Sequence, residues 1–422
     1  MTARTQREYW AFYWPLALTG AATLLGVQFQ NASLARFPDA VTELAIFAIA
    51  HAVFSLFGTG LEFTQHLSAH FARSRAAARQ TLRFVVLLAT LLALAIGWVG
   101  GSTPGQVLVG LAFGVEASML ERVCRYLVWL APVLLLHALR LYYVGLLIQA
   151  RLTGQVTALN AIYLGVLGGW LLAGFALGGS ALAVLVSAQA AATLVHALLA
   201  RRQAGRHHPL PESAEPPPSA GRLLRFFMPL ATTGALFSLS RPILYAFVAR
   251  QPEGVVIIAA LRVGFDFAFL FQQAANQFRH FFVSFGLDDL AGKRRFMRRV
   301  ALGLTLIMLA VALSPLGDWL LRRGLGIQGE VLQRAMDILL LMTLMPGIII
   351  LRNYFHGMLI ARERTGGMAW ASLSRVLVIA ALGALGEATG LLDHRFAVLA
   401  LLGGFGVETL VVWWRAGRLV PD

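Results

Sequence analysis

Eight ionisable side chains interrupt segments of this chain that are otherwise apolar. They are Arg140, Arg241, Arg262, Asp266, Arg279, Arg352, Arg375 and Glu408. A charged group at the centre of a membrane-spanning helix costs about 2.5–3.5 kcal/mol, so such groups normally face a partner or a water-filled cavity. Most of the eight are arginines, whose planar guanidinium group binds carboxylates and phosphates bidentately. The pattern predicts a cationic interior that attracts anions.

The arginines and nearby amides are the candidate substrate-binding residues. Arg241 has no acidic partner in its own predicted helix, which makes it the first candidate for an anion contact. We expect substrate binding by Arg241, Arg279, Arg352 and Arg140, with neutral hydrogen bonds from Gln28, Asn31 and Asn276. Two alternatives stay open. Arg279 could reach the membrane boundary instead, and Arg140 and Arg352 could hold carbonyl groups freed near Pro132 and Pro346.

Four further residues are candidates for gating or coupling. Arg262 and Asp266 are spaced i, i+4, so they can form an ion pair on one helix face; such a pair could equally be a neutral structural contact. His196 and Glu408 occupy equivalent places in the two halves of the chain and could form a gate or proton site. A polar contact between packed helices is the simpler account of each.

Several chemical classes are not indicated. The chain contains no HExxH zinc motif, Walker loop or nucleophile elbow, so no enzyme activity, metal or cofactor is predicted. Its single cysteine, Cys124, excludes an intramolecular disulfide. The net charge of +15 fits basic loops at a membrane surface, so nucleic acid is not an expected partner.

The elements that must position these residues are transmembrane helices. The 422 residues are 58% hydrophobic and 13% charged, and the mean hydropathy is +0.71. Apolar runs of about 20 residues follow one another. We predict an all-α polytopic membrane protein with twelve spans, near 11–36, 41–66, 81–100, 122–150, 156–178, 181–201, 222–249, 253–285, 298–317, 331–361, 368–390 and 394–415.

The sequence contains an internal repeat. Residues 15–38 match residues 229–252 at 11 of 24 positions without a gap, and residues 139–154 match 351–366 at 8 of 16. The predicted domains are an N-terminal six-helix half (1–201), a Pro-rich cytoplasmic linker (202–221) and a C-terminal six-helix half (222–422). Six spans per half give a parallel pseudo-two-fold repeat, with a site expected between the halves. Glycines 165, 169, 174 and 178 are predicted to permit close helix packing.

Basic residues orient the predicted spans. The loops near 73–83, 201–225 and 293–299 are rich in arginine, and the intervening loops are poorer. This asymmetry places both termini in the cytoplasm of a multi-pass protein of the inner (plasma) membrane. We expect no removable signal peptide.

The two-times-six plan resembles the superfamily of multidrug exporters and lipid-linked oligosaccharide flippases. Within it, the sequence is most similar to the progressive ankylosis (ANK) family, in Tyr9–Pro15, Ser240–Ile243, Leu351-Arg352 with Gly357, and Gly406 with Glu408. The resemblance implies export of pyrophosphate, ATP or citrate, with Arg241, Arg279 and Arg352 as site or gate residues. The family has acidic side chains in its first helix, whereas this chain has Gln28, Gln30 and Asn31.

The leading hypothesis is an alternating-access exporter of small polyanions, such as pyrophosphate, ATP or citrate, with a central arginine-lined cavity. Its expected partners are a small anionic substrate and the lipid bilayer, and a monomer is the working expectation. A flippase for a lipid-linked phosphate or oligosaccharide could use the same arginines. A multidrug exporter and a non-transporting membrane scaffold are the further alternatives.

Overall fold

A computed structural model describes residues 6–22, 24–150, 152–212, 216–276, 278, 285, 288–361 and 366–417. Across these ranges the chain is helical and has no β-strand. Ten helical segments of the described chain are long and apolar enough to cross a membrane. The predicted all-α polytopic class is confirmed.

The helices of the first half follow the predicted spans closely. They are α1 (Gln6–Ala22), α2 (Leu25–Leu34), α3 (Ala40–Gly58), α4 (Thr64–Phe71), α5 (Arg75–Gly101), α6 (Thr103–Phe113), α7 (Ala117–Gln149), α8 (Thr153–Ala176) and α9 (Ala181–His207). A 3-10 turn at Thr59–Phe63 joins α3 to α4, so the two form one long span.

The second half repeats this order. Its helices are α10 (Ala220–Ser238), α11 (Ser240–Val248), α12 (Gly254–Asn276), α13 (Leu290–Leu313), α14 (Pro315–Trp319), α15 (Gly329–Leu341), α16 (Met345–Ala361), α17 (Gly366–Thr389) and α18 (His394–Gly417). A π-helical turn follows α14 at Leu320–Gly324, and a 3-10 turn at Met342–Leu344 joins α15 to α16.

Serine side chains cap the N-termini of several of these helices. Ser74, Ser180 and Ser219 accept hydrogen bonds from the first-turn backbone N–H groups of α5, α9 and α10. Ser102 and Ser314, which are equivalent in the internal repeat, cap the short helices α6 and α14, and each of these helices has a proline at its beginning. These caps satisfy donors that a helix leaves unpaired at its N-terminus.

The predicted spans 11–36 and 222–249 are each two shorter helices. The first is divided between α1 and α2, and the second between α10 and α11. The second division is a single residue, Leu239, whose N–H still donates to the carbonyl of Ala235 at 3.1 Å. Hydropathy cannot reveal such a division because the apolar run continues across it. The short helices α6 and α14 were also absent from the predicted spans.

The chain folds into two compact units that do not follow the midpoint of the sequence. Unit 1 contains residues 1–45 and 243–422, and unit 2 contains residues 46–242. In unit 1, α1 packs with segments of the second half: Tyr13 donates to the carbonyl of Ala274 at 2.8 Å, and Tyr9 donates to Asp289 at 2.9 Å. The predicted halves describe the repeat and remain a prediction at that level.

Unit 2 includes α10, which packs on helices of the first half. Thr59 and Ser238 share a hydrogen bond between their hydroxyl groups, and the rings of His70 and Phe226 stack with their centroids 5.5 Å apart. The segment predicted as a linker begins inside α9, which continues to His207. Arg75 then holds the residues that follow α9 through the carbonyl groups at positions 210 and 211.

The apolar surface is consistent with lipid contact. Leu94 in α5, Leu172 in α8 and Leu399 in α18 are all more than half exposed, although they lie in strongly apolar segments of the chain. Charged and polar side chains such as Arg375 and Glu408 are instead fully or almost fully buried. This inversion is expected where the hydrocarbon core of a membrane replaces water.

Candidate functional site

Arg352, Arg375, Ser372 and Glu408 form the main buried polar group of unit 1, here called the Glu408 cluster. Arg352 lies in α16, Ser372 and Arg375 in α17, and Glu408 in α18. Oε2 of Glu408 accepts from Arg375 at 2.7 Å and from Arg352 at 3.2 Å, and Oε1 accepts from Ser372 at 3.1 Å. Two guanidinium groups therefore share one carboxylate, and the cluster carries a net charge of +1.

Close packing between α17 and α18 holds this cluster. A Cβ atom on Gly404 would lie 2.5 Å from Cγ1 of Ile379, so only glycine permits the two helices to approach this closely. The next residue, Phe405, presents its ring to both guanidinium groups, with the ring centre 4.9 Å from Arg375 and 5.4 Å from Arg352. Cation–π contact of this kind favours a buried cation.

Two asparagines connect the Glu408 cluster to α12. Arg352 lies 3.4 Å from the side-chain oxygen of Asn276, and Asn353 donates to the carbonyl of Ala275 at 3.2 Å. The predicted substrate-binding residues Arg352 and Asn276 are thus brought together. The contacts place Asn276, the last residue of α12, directly at the cluster.

A second polar group of unit 1 lies further back along α12. Arg262 and Asp266 form the ion pair predicted from their spacing, with an N–O distance of 3.8 Å. Asn31 donates to the Asp266 carboxylate at 3.2 Å, and Gln28 donates to the backbone carbonyl of Asp266 at 2.8 Å. All four residues are buried. The amides of α2 therefore contact the predicted gating pair, and a gating role stays a prediction.

Unit 2 contains a polar group at the places equivalent to the Glu408 cluster. This His196 cluster consists of Arg140 in α7, Asn160 and Tyr163 in α8, and His196 in α9. Nε2 of His196 lies 3.2 Å from the side-chain oxygen of Asn160, and the guanidinium of Arg140 lies 5.0 Å from the ring centre of Tyr163. The equivalence of Arg140 with Arg352 and of His196 with Glu408 thus extends to their surroundings.

Arg140 and Glu62 do not form a direct ion pair. Glu62, in the 3-10 turn, contacts Nε2 of His137 at 2.9 Å. Within the described part of the chain, no ion pair within 4.0 Å joins Glu62 to Arg140, and Arg140 itself is half-buried. The guanidinium group of Arg140 instead lies over the ring of Tyr163.

Two predicted substrate-binding arginines remain. Arg241 is half-buried in the first turn of α11, and Arg279 lies outside the described residues. Among the described residues, no group of three or more His, Cys, Asp or Glu side chains is placed to hold a metal ion.

Solved structures that this chain resembles in fold include membrane transporters. The lipid II flippase MurJ, in an inward closed conformation, matches 95% of this chain and 87% of its own with a TM-score of 0.71 and 13% identity. This chain shares its fold with these transporters. An inward-facing multidrug resistance MATE transporter of the MOP superfamily matches 99% of this chain and 95% of its own, with a TM-score of 0.66 and 14% identity.

A third structure is a MOP superfamily transporter from Pyrococcus furiosus, described as having a binding pocket of reverse polarity that suggests a different function. It matches 96% of this chain and 94% of its own, with a TM-score of 0.59 and 12% identity. No protein-family profile matches the sequence, and no curated protein matches it. At these identities the likeness establishes the fold and leaves the substrate to be proposed.

Sequence reasoning named most of the Glu408 cluster but gave Arg375 no site role and missed Ser372 and Phe405. The internal repeat carries the missing signal. The offset that pairs Arg140 with Arg352 also pairs Asn160 with Ser372, and it pairs Tyr163 with Arg375. The close packing of helices at Gly404 could not be read from the sequence, because glycine is common throughout this chain.

Proposed function

We propose that this chain is a membrane transporter that moves small polyanions, such as pyrophosphate, ATP or citrate, by alternating access. The observation that supports this most is the net positive charge of the Glu408 cluster. A buried charge is costly unless an opposite charge accompanies it. Arg352 and Arg375 share a single carboxylate at 3.2 and 2.7 Å, so an anion would stabilise the cluster.

The remaining predicted residues fit this function in different ways. Arg140 provides a further guanidinium group, in the His196 cluster, and Arg241 and Arg279 stay candidates for anion contact. Gln28 and Asn31 hold Asp266, which we assign to gating or coupling together with Arg262 and His196. We place the chain near the ANK family, on the segments that include Ser240–Ile243, and in the inner membrane with both termini in the cytoplasm.

A flippase for a lipid-linked phosphate is the second candidate. It is favoured by the likeness to the lipid II flippase over 95% of this chain. A diphosphate attached to a lipid presents the same charged oxygens to an arginine as free pyrophosphate does. The two candidates differ in whether the anion carries an acyl or polyprenyl chain through the membrane.

Transport into proteoliposomes tests the proposal. The full chain is reconstituted, and uptake of labelled pyrophosphate, citrate and ATP is measured in separate arms. We expect at least one anion to enter faster than in empty liposomes. Replacing Arg352 with Gln removes a charge-assisted contact of about 1.5–3 kcal/mol, so uptake should fall at least about tenfold.

The matched control is Arg322→Gln. Arg322 is an exposed arginine that pairs with Asp318 at 3.0 Å, and its loss should leave uptake unchanged. Movement of a fluorescent lipid diphosphate, without movement of any free anion, would favour the flippase. If neither moves but an organic cation such as ethidium does, the multidrug alternative replaces both. Normal uptake by folded Arg352→Gln would contradict the role of the cluster.

A further inference from the structure

We propose that Arg375 and Glu408 act as a fixed neutral pair, and that this pair leaves the charge of Arg352 to receive the anion. In this arrangement Arg375 and Glu408 are positioning residues that set the charge of the site. The inference rests on the proposed function for the identity of the ligand. The pairing itself can be tested without any ligand.

The contacts of Glu408 are unequal. Its Oε2 atom lies 2.7 Å from Arg375 and 3.2 Å from Arg352, and its Oε1 atom is held by Ser372 at 3.1 Å. Arg375 and Ser372 both lie in α17, one turn apart, so α17 holds both oxygens of the carboxylate. Because a shorter charge-assisted hydrogen bond is the stronger one, Arg375 is the main partner of Glu408.

Arg352 makes longer contacts. Its hydrogen bonds to the side-chain oxygens of Asn276 and Asn353 are 3.4 and 3.5 Å long. Arg375 is fully buried, whereas Arg352 keeps 6% of its surface exposed. Arg352 can therefore turn towards an incoming anion while Arg375 and Ser372 keep Glu408 in place.

The internal repeat gives independent support. At the offset that aligns residues 139–154 with 351–366, Arg352 corresponds to Arg140, Arg375 to Tyr163, and Glu408 to His196. The His196 cluster therefore lacks both the second arginine and the acid, yet it retains the first arginine. With histidine neutral, each cluster carries a charge of +1. The acid and the second arginine differ together between the copies, as expected of a neutral pair.

The other described ionisable groups around Glu408 do not alter the net charge of +1 at neutral pH. Within the described chain, His356, one turn after Arg352 in α16, is the further titratable group in electrostatic contact with the carboxylate. From α12, the contacting side chain is the uncharged Asn276. Among the described residues, the net charge of the cluster at neutral pH is therefore decided by Arg352, Arg375 and Glu408.

A series of variants that changes this count provides the test. Binding of labelled pyrophosphate to the purified full-length protein in detergent is measured at constant ionic strength. Arg375→Gln leaves a net charge of zero, and Glu408 should then capture Arg352. We expect binding to weaken at least about tenfold although Arg352 is intact. Arg375→Lys keeps the net charge but loses the planar guanidinium group that faces Phe405, so its binding should weaken less than that of Arg375→Gln.

The double variant Arg375→Gln/Glu408→Gln restores a charge of +1 and should recover most of the lost binding. If it binds as poorly as Arg375→Gln alone, Arg375 has only a structural role and the inference is wrong. Glu408→Gln alone leaves two cations side by side, so its folding is checked by size-exclusion chromatography before binding is measured.

Thermal unfolding without ligand decides the pairing separately. Two double-mutant cycles compare the coupling of Glu408 with Arg375 and with Arg352. We expect the Arg375 coupling to be clearly larger, and an equal or smaller value would overturn the inference. If the unmodified protein binds no pyrophosphate, citrate or ATP, the proposed function fails, while the cycles still decide whether Arg375 and Glu408 are a pair.

Discussion

Asp289 combines two roles immediately before α13. Its φ of 48° places it in the left-handed region, and among the described residues it is the non-glycine residue with this conformation. Its carboxylate accepts from the backbone N–H of Gly292 at 2.9 Å and from the hydroxyl of Tyr9 at 2.9 Å. The residue thus caps α13 and attaches α1 to it. Asp and Asn tolerate this backbone conformation better than other side chains.

Substitution of Asp289 should lower stability in a graded way. Asp289→Ala removes the cap and strains the backbone, so we expect a loss of about 1–2 kcal/mol in the free energy of unfolding. Asp289→Asn keeps the conformation and an acceptor, and should lose less. Thermal unfolding in detergent measures both. Equal losses would show that the cap and backbone conformation contribute little.

The same residue predicts a pH dependence. The hydrogen bond from Tyr9, followed by that from Gly292, lowers the pKa of Asp289 below its ordinary value of 3.8. A lowered pKa contributes stability above the unfolded value, and this contribution is lost as the pH falls through the folded value. Asp289→Ala should therefore cost the same between about pH 5 and pH 8 and progressively less below about pH 4. Unfolding midpoints measured across this range check the trend, and a cost that stays constant down to low pH would contradict it.

At this scale the sequence predicted residue types better than contacts. The i, i+4 spacing was sufficient for the Arg262–Asp266 pair because a helix fixes the distance between such positions. It could not show that Asn31 and Gln28, from a helix near the start of the chain, would contact Asp266. Contacts between distant segments depend on helix packing, which local spacing does not encode.

Among helices, the spacing of glycines predicted that close packing is possible better than it predicted where the packing occurs. Gly174 was correctly predicted to permit close packing, since a Cβ there would lie 2.8 Å from Cγ1 of Val184, but Gly165 and Gly169 have open space beside them. Gly178 instead adopts a positive φ of 71° in the turn after α8. The spacing of small residues indicates that two helices can approach closely, but it does not indicate which face has a neighbour.

Gly145 in α7 packs closely against α4. A Cβ there would overlap Oγ of Ser68 and the carbonyl of Gln65 in α4. We expect Gly145→Ala to destabilise the protein by about 1–3 kcal/mol through overpacking. The control, Gly169→Ala, should be neutral or slightly stabilising because alanine favours a helix over glycine. Unfolding midpoints compare the two, and similar effects would contradict this packing.

The divided first spans are a second element-level feature. In each half the first predicted span consists of two helices, α1–α2 and α10–α11. Leu239, between α10 and α11, keeps helical dihedral angles, and its N–H donates to the carbonyl of Ala235 at 3.1 Å, so this interruption is a single residue. Arg241 lies just after the second division, in the first turn of α11.

At the scale of the whole molecule, the predicted orientation can be tested by labelling introduced cysteines, because the single native cysteine is buried. Cys124 is 2% exposed, so the unmodified protein should react slowly with maleimides. With both termini cytoplasmic, Glu212→Cys should react with an impermeant maleimide only after permeabilisation, and Arg323→Cys should react in intact cells. The opposite labelling pattern would invert the assigned topology.

Whole-chain organisation was partly readable from the sequence. Hydropathy and the repeat were sufficient for the all-α class, because a lipid environment permits few other structures. They did not indicate that residues 1–45 belong with 243–422. The repeat records equivalent sequences, and equivalent sequences need not pack with their own half.

Because residues 1–45 belong to the same unit as residues 243–422, the first helices are made long before their partners. The first two helices are synthesised 235–286 residues before the partners that they contact in unit 1, which corresponds to roughly 10–60 s of translation. During that interval Gln28 and Asn31 cannot bind Asp266, because it has not yet been made. The N-terminal helices must therefore remain in the membrane without these contacts until the second half is synthesised. Expression of the two sequence halves as separate chains would give two fragments, each lacking a helix that its compact unit requires.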